Sequence, residues 1–104
     1  MKAKAHIEID FQLAIRQAER LEEIASKLIS ISGNMLQITD TFFASWSGEN
    51  ARIYIQKHTQ VREEMKRASE ELREVACNIR CLAKRVYDAE MRAYEIAVRR
   101  INGN

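Results

Sequence analysis

Apolar residues recur at alternating steps of three and four on both sides of residues 44–48. This spacing places them along one face of an α-helix and differs from the strict alternation of a half-buried strand. The pattern predicts a first helix over about residues 8–43 and a second over about 49–101. The first stripe comprises Phe11, Ala14, Ile15, Ala18, Leu21, Ile24, Leu28, Ile31, Met35, Ile38 and Phe42.

The second predicted helix carries an apolar stripe of the same kind. Its members are Ala51, Tyr54, His58, Val61, Met65, Ala68, Leu72, Val75, Ile79, Leu82, Val86, Ala89, Ala93 and Ile96. Because the connection at residues 44–48 is short, the two helices should run antiparallel. The chain is therefore expected to form one all-α domain over residues 1–104, an antiparallel helical hairpin.

A hairpin of two helices has a single internal seam and little core for its surface. We therefore expect it to assemble as a dimeric four-helix bundle, either with itself or with another helical protein. The residues expected to bind the partner are Leu28, Ile31, Met35, Ile38, Val61, Met65, Leu72, Tyr94 and Val98.

The last third of the second helix is apolar on a further side. Tyr87, Met91, Tyr94, Val98 and Ile101 form a second stripe, roughly 130° from the first. One interpretation is extra packing against the start of the first helix or against a partner chain. The other is a docking surface for another protein, since exposed apolar patches commonly mark one.

Composition narrows the possible functions. Proline is absent and glycine occurs three times, which disfavours a turn-rich β fold. The 17 basic and 15 acidic residues are interleaved, whereas nucleic-acid binders concentrate positive charge on one face, so we expect no nucleic-acid partner. No run of apolar residues is long enough to span a membrane, so we expect no transmembrane helix. No apolar core follows the N-terminal lysines, so we expect no secretory signal peptide.

Candidate catalytic and metal-binding residues are few. The only histidines are His6 and His58, and His58 lies on the apolar stripe without a carboxylate three or four residues away. A structural zinc site needs four ligands. Cys77 and Cys81 would supply only two, and no histidine lies near them in sequence. We therefore expect no enzyme activity, no metal and no cofactor. Both thiols fall outside the stripe and should be exposed.

A Trp-Ser-Gly motif, Trp46 to Gly48, lies near the middle of the chain between the two predicted helices. Ala51 and the aromatic Tyr54 follow the glycine. In these features and in its length the sequence resembles the Trp-x-Gly (WXG) family of short helical proteins. These are the early-secreted-antigen-like substrates of type VII secretion systems in Gram-positive bacteria and mycobacteria. The resemblance covers nearly the whole chain.

The resemblance implies a homo- or heterodimeric four-helix bundle that a type VII membrane ATPase exports folded, without a signal peptide. It also implies an export signal formed by the turn of one subunit, here Trp46 and Gly48, and a Tyr-x-x-x-Asp/Glu element of its partner. In this chain Glu90 follows Tyr87 after three residues instead of four. That difference rotates the carboxylate by about 100° around the helix.

Three functions follow as hypotheses. The first is a type VII substrate or chaperone that is made in the cytoplasm, dimerises, presents an export signal and is secreted or displayed at the cell surface. The second is an adaptor that binds the helical N-terminal domain of a larger type VII toxin. The third is a structural coiled-coil protein unrelated to secretion, for which Trp46 would be replaceable by any apolar residue.

Overall fold

The computed structural model describes residues 2–103, and these form two helices. Helix α1 spans Lys4–Phe42 and helix α2 spans Glu49–Ile101, with no strand in the described part of the chain. The two helices pack against each other and a short turn connects them. The predicted all-α helical hairpin is confirmed at this level.

Helix α1 begins at Lys4, earlier than the predicted start near residue 8. The carbonyl of Ala3 accepts hydrogen bonds from the backbone amides of His6 and Ile7, at 3.0 and 3.1 Å. Ile7 is only 2% exposed, so extending the helix to this position buries an apolar side chain. The early start therefore adds a packed layer to the hairpin.

Helix α2 begins where predicted, immediately after Gly48. Glu49 lies in its first turn, and Arg99 and Arg100 lie in its last. These charges oppose the partial charges at the two ends of the helix, which favours the helical conformation. The connection consists of residues 43–48, so the turn is one residue longer than predicted on its N-terminal side.

The described residues divide into two compact units, each built from a segment of α1 and a segment of α2. The turn-proximal half is Glu22–Glu74. The turn-distal half consists of the described residues up to Leu21 and those from Val75 onward. Each half has its own set of contacts between the helices.

Small side chains close the turn-proximal half. Ala25, Ser32 and Thr39 follow one another at seven-residue intervals on α1 and are 0, 2 and 7% exposed. On α2, Ser69 is 1% exposed, and its hydroxyl donates a hydrogen bond of 3.0 Å to the carbonyl of Ala25. A side-chain hydroxyl reaches the backbone of the opposite helix only when the helices approach closely, which small residues permit.

We call the buried residues Ala25, Ser32 and Thr39 the seam of α1. Each of them follows a member of the predicted apolar stripe by one position. Ile24, Ile31 and Ile38 each precede a buried seam residue, and they are 46, 46 and 56% exposed. One position on a helix corresponds to about 100° of rotation. The stripe therefore does not close the hairpin as a unit: its large members beside the seam remain exposed to solvent.

In the turn-distal half Tyr87, from the second stripe of α2, packs against α1. The ring of Tyr87 lies 5.0 Å from that of Phe11, and Met91, Tyr94 and Val98 are half-buried. Leu82, Val86 and Ile96, from the first stripe, are instead about half exposed. Packing of Tyr87 against the start of α1 is the first of the two interpretations that the sequence left open.

Enlarging a seam residue should separate the helices. We expect Ala25→Leu to lower the free energy of unfolding by about 1–3 kcal/mol, because a leucine side chain does not fit between closely packed backbones. Urea denaturation at fixed protein concentration measures the change. The matched control is Ala5→Leu, at an exposed position of the same helix. Equal stability of the two variants would contradict a close-packed seam.

Candidate functional site

Four aromatic side chains and a histidine surround the turn. The ring of Trp46 stacks on that of Phe43 with centroids 5.1 Å apart and 24° between planes, and it lies 5.5 Å from the ring of Tyr54. Phe43 also contacts His58 edge-on at 5.7 Å and Phe42 at 5.4 Å. Trp46 therefore bridges the end of α1 and the start of α2 while remaining 38% exposed.

The backbone of the turn depends on Gly48. Its φ angle is 107°, a conformation that residues with a side chain rarely adopt. The carbonyl of Gly48 accepts a hydrogen bond of 3.1 Å from the amide of Arg52, which closes the first turn of α2. On the other side, the amide of Trp46 donates to the carbonyl of Phe43 at 3.2 Å. The positive φ of Gly48 thus allows α2 to begin at Glu49, only three residues after Trp46.

An open, largely apolar depression lies against the tryptophan. It is lined by Gln37, Ile38, Thr41, Phe42, Ser45 and Trp46. Phe42 is 67% exposed although it is a large aromatic residue. The indole is therefore part of a surface to which α1 also contributes.

Five exposed apolar residues of the two helices share one side of the turn-proximal half. On α1 these residues, such as Ile31, precede the seam by one position; on α2, Val61 likewise precedes half-buried Arg62. Because the helices run in opposite directions, their residues turn in opposite senses when viewed from one end. Positions one before the seam therefore lie on the same side of both helices. We call this side the apolar face; its exposed members are Ile24, Ile31, Ile38, Tyr54 and Val61.

The residues predicted to bind a partner fall into three groups. Ile31, Ile38 and Val61 are exposed on the apolar face. Leu28, Met35, Met65 and Leu72 are half-buried between that face and the seam. Tyr94 and Val98 are half-buried in the turn-distal half.

Tyr87 and Glu90, predicted as the second export element, lie in the turn-distal half. Tyr87 is half-buried against Phe11. The ammonium of Lys2 donates a hydrogen bond of 3.3 Å to Oε1 of Glu90 and lies 3.2 Å from its Oε2. The same ammonium lies 2.8 Å from Oδ2 of Asp10. Both carboxylates therefore share one cation.

These contacts shift two pKa values. Hydrogen bonds to Asp10 and then to Glu90 raise the pKa of the Lys2 ammonium. The hydrogen bond from Lys2 in turn lowers the pKa of the Asp10 carboxyl. Sequence periodicity does not reveal Lys2 as a contact of Glu90, because the two residues are 88 positions apart.

The remaining candidate residues do not form a reactive cluster. Cys77 and Cys81 are free and exposed, as predicted. His58 is half-buried, and its Nδ1 is buried without a hydrogen-bond partner. Across residues 2–103, no group of three or more His, Cys, Asp or Glu side chains is placed to hold a metal ion. Neither helix, as far as it is described, has an apolar stretch that could cross a bilayer.

Comparison with protein-family models, with curated proteins and with solved structures gives no match to this chain. The turn, the apolar face and the sequence motifs are therefore the features of this chain that indicate a function.

The two glycines nearest the turn should respond oppositely to alanine. Gly48→Ala should lower the free energy of unfolding by about 1–3 kcal/mol, because alanine is strained at a φ of 107°. Gly33 lies inside α1, and a Cβ there would contact nothing within 4 Å. Gly33→Ala should therefore stabilise by up to about 1 kcal/mol. Denaturation curves of the two variants test the difference, and a destabilising Gly33→Ala would contradict it.

The N-terminal lysine should control the titration of Asp10. With Lys2 present, stabilisation from this ion pair exists above the ordinary carboxyl pKa of about 3.9 and is lost as the pH falls through the lowered value. In Lys2→Gln the pKa of the Asp10 carboxyl should rise toward the ordinary value. Carboxyl NMR titration measures it, and Lys4→Gln is the control. An unchanged Asp10 titration in Lys2→Gln would exclude the contact.

Proposed function

We propose that this protein is a WXG-like substrate or chaperone of a type VII secretion system that acts as a helical dimer. The apolar face carries the proposal. Large residues such as Ile31 and Ile38 are about half exposed in the single chain, although seam positions beside them are filled by small residues. A sizeable exposed apolar patch on a soluble helical hairpin is typical of a surface that another protein covers. Covering it with a second hairpin gives a four-helix bundle.

The turn supports the assignment to export. Trp46 is held between two aromatic rings but remains 38% exposed, so part of the indole is accessible to a receptor. Gly48 has the left-handed backbone that this arrangement requires. In the proposed mechanism, the turn of one subunit lies beside Tyr87 and Glu90 of its partner. Only the assembled dimer then presents the complete signal to the membrane ATPase.

The contacts of Tyr87 and Glu90, the second element of the predicted export signal, favour one alternative: an adaptor for a larger type VII toxin. Glu90 is ion-paired with Lys2, and Tyr87 is half-buried on Phe11, so neither side chain is free in the single chain. An adaptor would need only the apolar face, with the toxin's N-terminal helices as its partner. Its native mass would then be that of a heteromer with the toxin.

Removing the indole tests the export role. We expect Trp46→Ala to abolish secretion from the native strain while the dimer mass of the purified protein is retained. The physical reason is that Trp46 lies at the turn, whereas the apolar face is formed mainly by isoleucines along the helices. Immunoblots of culture supernatant measure secretion, and light scattering measures mass.

The matched control is Leu36→Ala, which removes an exposed apolar side chain from the same half of the molecule. Leu36 lies two positions from Ile38 and so about 200° around α1, away from the apolar face. This variant should be secreted normally, and a strain without the membrane ATPase should secrete neither chain. Normal secretion of Trp46→Ala would exclude the turn as part of the signal.

A further inference from the structure

A row of apolar residues runs along α2 at seven-residue intervals from Val61 to Ile96, and all of them except the half-buried Ala68 are exposed. Leu82 and Ile96 are 58 and 48% exposed, and Val61 and Val75 are 39 and 47% exposed. Ala89, midway between Leu82 and Ile96, is also exposed. Seven residues correspond to nearly two helical turns, so these side chains lie along one line of the helix. A partner helix that packs on this line would also contact the side chains of α2 that flank the line.

The flanking positions carry charges that change sign along the helix. The row three positions further on begins with Lys57, continues with Glu64 and Glu71, reaches Asn78, and ends with Arg85, Arg92 and Arg99. All seven side chains are exposed. In the described part of the chain, Glu64, Glu71 and Arg85 make no ion pair. Their charges are therefore available to a partner.

This flanking row is complementary to itself when reversed. Glu71 and Arg85 lie seven residues on either side of Asn78, and Glu64 and Arg92 lie fourteen residues on either side. In an antiparallel pair of identical helices, corresponding flanking positions of the two chains face each other across the apolar line. A two-fold axis at Asn78 would thus place each glutamate opposite an arginine of the second copy.

We propose that the apolar row of α2 docks a second copy of this chain, antiparallel, with the two-fold axis beside Asn78. Glu71 then faces Arg85 of the second copy, and Glu64 faces Arg92, which gives four ion pairs per dimer by symmetry. The proposal rests on the helical dimer of the proposed function and names its partner and register.

The length of α2 and its charges together select this register. The helix spans Glu49–Ile101, so its midpoint is residue 75, the mean of 49 and 101. Axes beside Asn78 or one half-heptad earlier both overlap the helices almost completely. The earlier axis pairs Glu71 with Asn78, which loses one type of ion pair, and it moves the repulsive pair inward to Lys57 with Arg92. With the axis at Asn78, the repulsive pair is Lys57 with Arg99, at the far ends, where long side chains turn to solvent.

Charge reversal tests the register with two complementary chains. One chain carries Glu64→Arg and Glu71→Arg; the other carries Arg85→Glu and Arg92→Glu. Each alone sets like charges against each other and should raise the dimer dissociation constant at least about tenfold. An equimolar mixture sets the four arginines of one chain at positions 64, 71, 85 and 92 opposite four glutamates of the other, and it should dimerise about as well as the wild type. Analytical ultracentrifugation measures both, and circular dichroism reports helix content.

The matched control has the same change in net charge on another side of α2. Glu63→Arg with Glu70→Arg alters exposed positions one residue before those of the first variant, about 100° around the helix. This chain should dimerise like the wild type. Equal weakening in the control and test variants, or no rescue on mixing, would overturn the register.

A cysteine at the axis provides a second measurement. In a chain with Cys77→Ser and Cys81→Ser, Asn78→Cys should be joined to its own copy by a short bismaleimide. The chain with Cys81→Ser alone is the control: it keeps Cys77, which lies about 200° around α2 from Val75, and should give no interchain product. A folded wild-type monomer, or a dimer formed only with a different co-expressed protein, would overturn the second copy as partner.

These tests leave Trp46 and Gly48 intact, so pairing and export are measured separately. Loss of dimer mass in the charge variants with rescue on mixing supports the register whatever the secretion result. Normal secretion of Trp46→Ala would leave the second-copy pairing standing and remove only the export role.

Discussion

Close approach of the two helices through small side chains is the constraint on which the rest of the turn-proximal half depends. Ala25 is fully buried, and Ser69 reaches its carbonyl at 3.0 Å. A seam of this kind uses few apolar atoms, because alanine and serine have little side chain to bury. The hairpin therefore closes without its large apolar residues, and those residues remain at the surface.

The residues that close the hairpin thus differ from those that we propose to bind a partner. Ser32 is 2% exposed, whereas Ile31, its immediate neighbour, is 46% exposed. The rotation of about 100° between neighbours gives each helix an inner side and an apolar outer side. This division supports an assembly in which two preformed hairpins meet face to face. In the proposed dimer the charged row of α2 lies at the rim of the contact, where charge sets orientation more than affinity.

The two ends of the proposed export signal differ in how firmly they are held. Trp46 is held by stacking on Phe43 and by its contact with Tyr54. Glu90 is held by the exposed ammonium of Lys2, and exposed ion pairs contribute little to stability. A partner could displace Lys2 far more easily than it could rearrange the aromatic turn.

The periodicity of the sequence was sufficient to predict both helices, their turn at Trp46 to Gly48 and the exposure of the two cysteines. These are local properties, because helical repeat and glycine conformation act over a few residues. Which side of each stripe is buried was decided only by tertiary structure. The distance between helices selects Ala25 over Ile24, and the contact of Tyr87 with Phe11 selects the second stripe in the turn-distal half. Both choices depend on residues far apart in the chain, whose packing no single helix specifies.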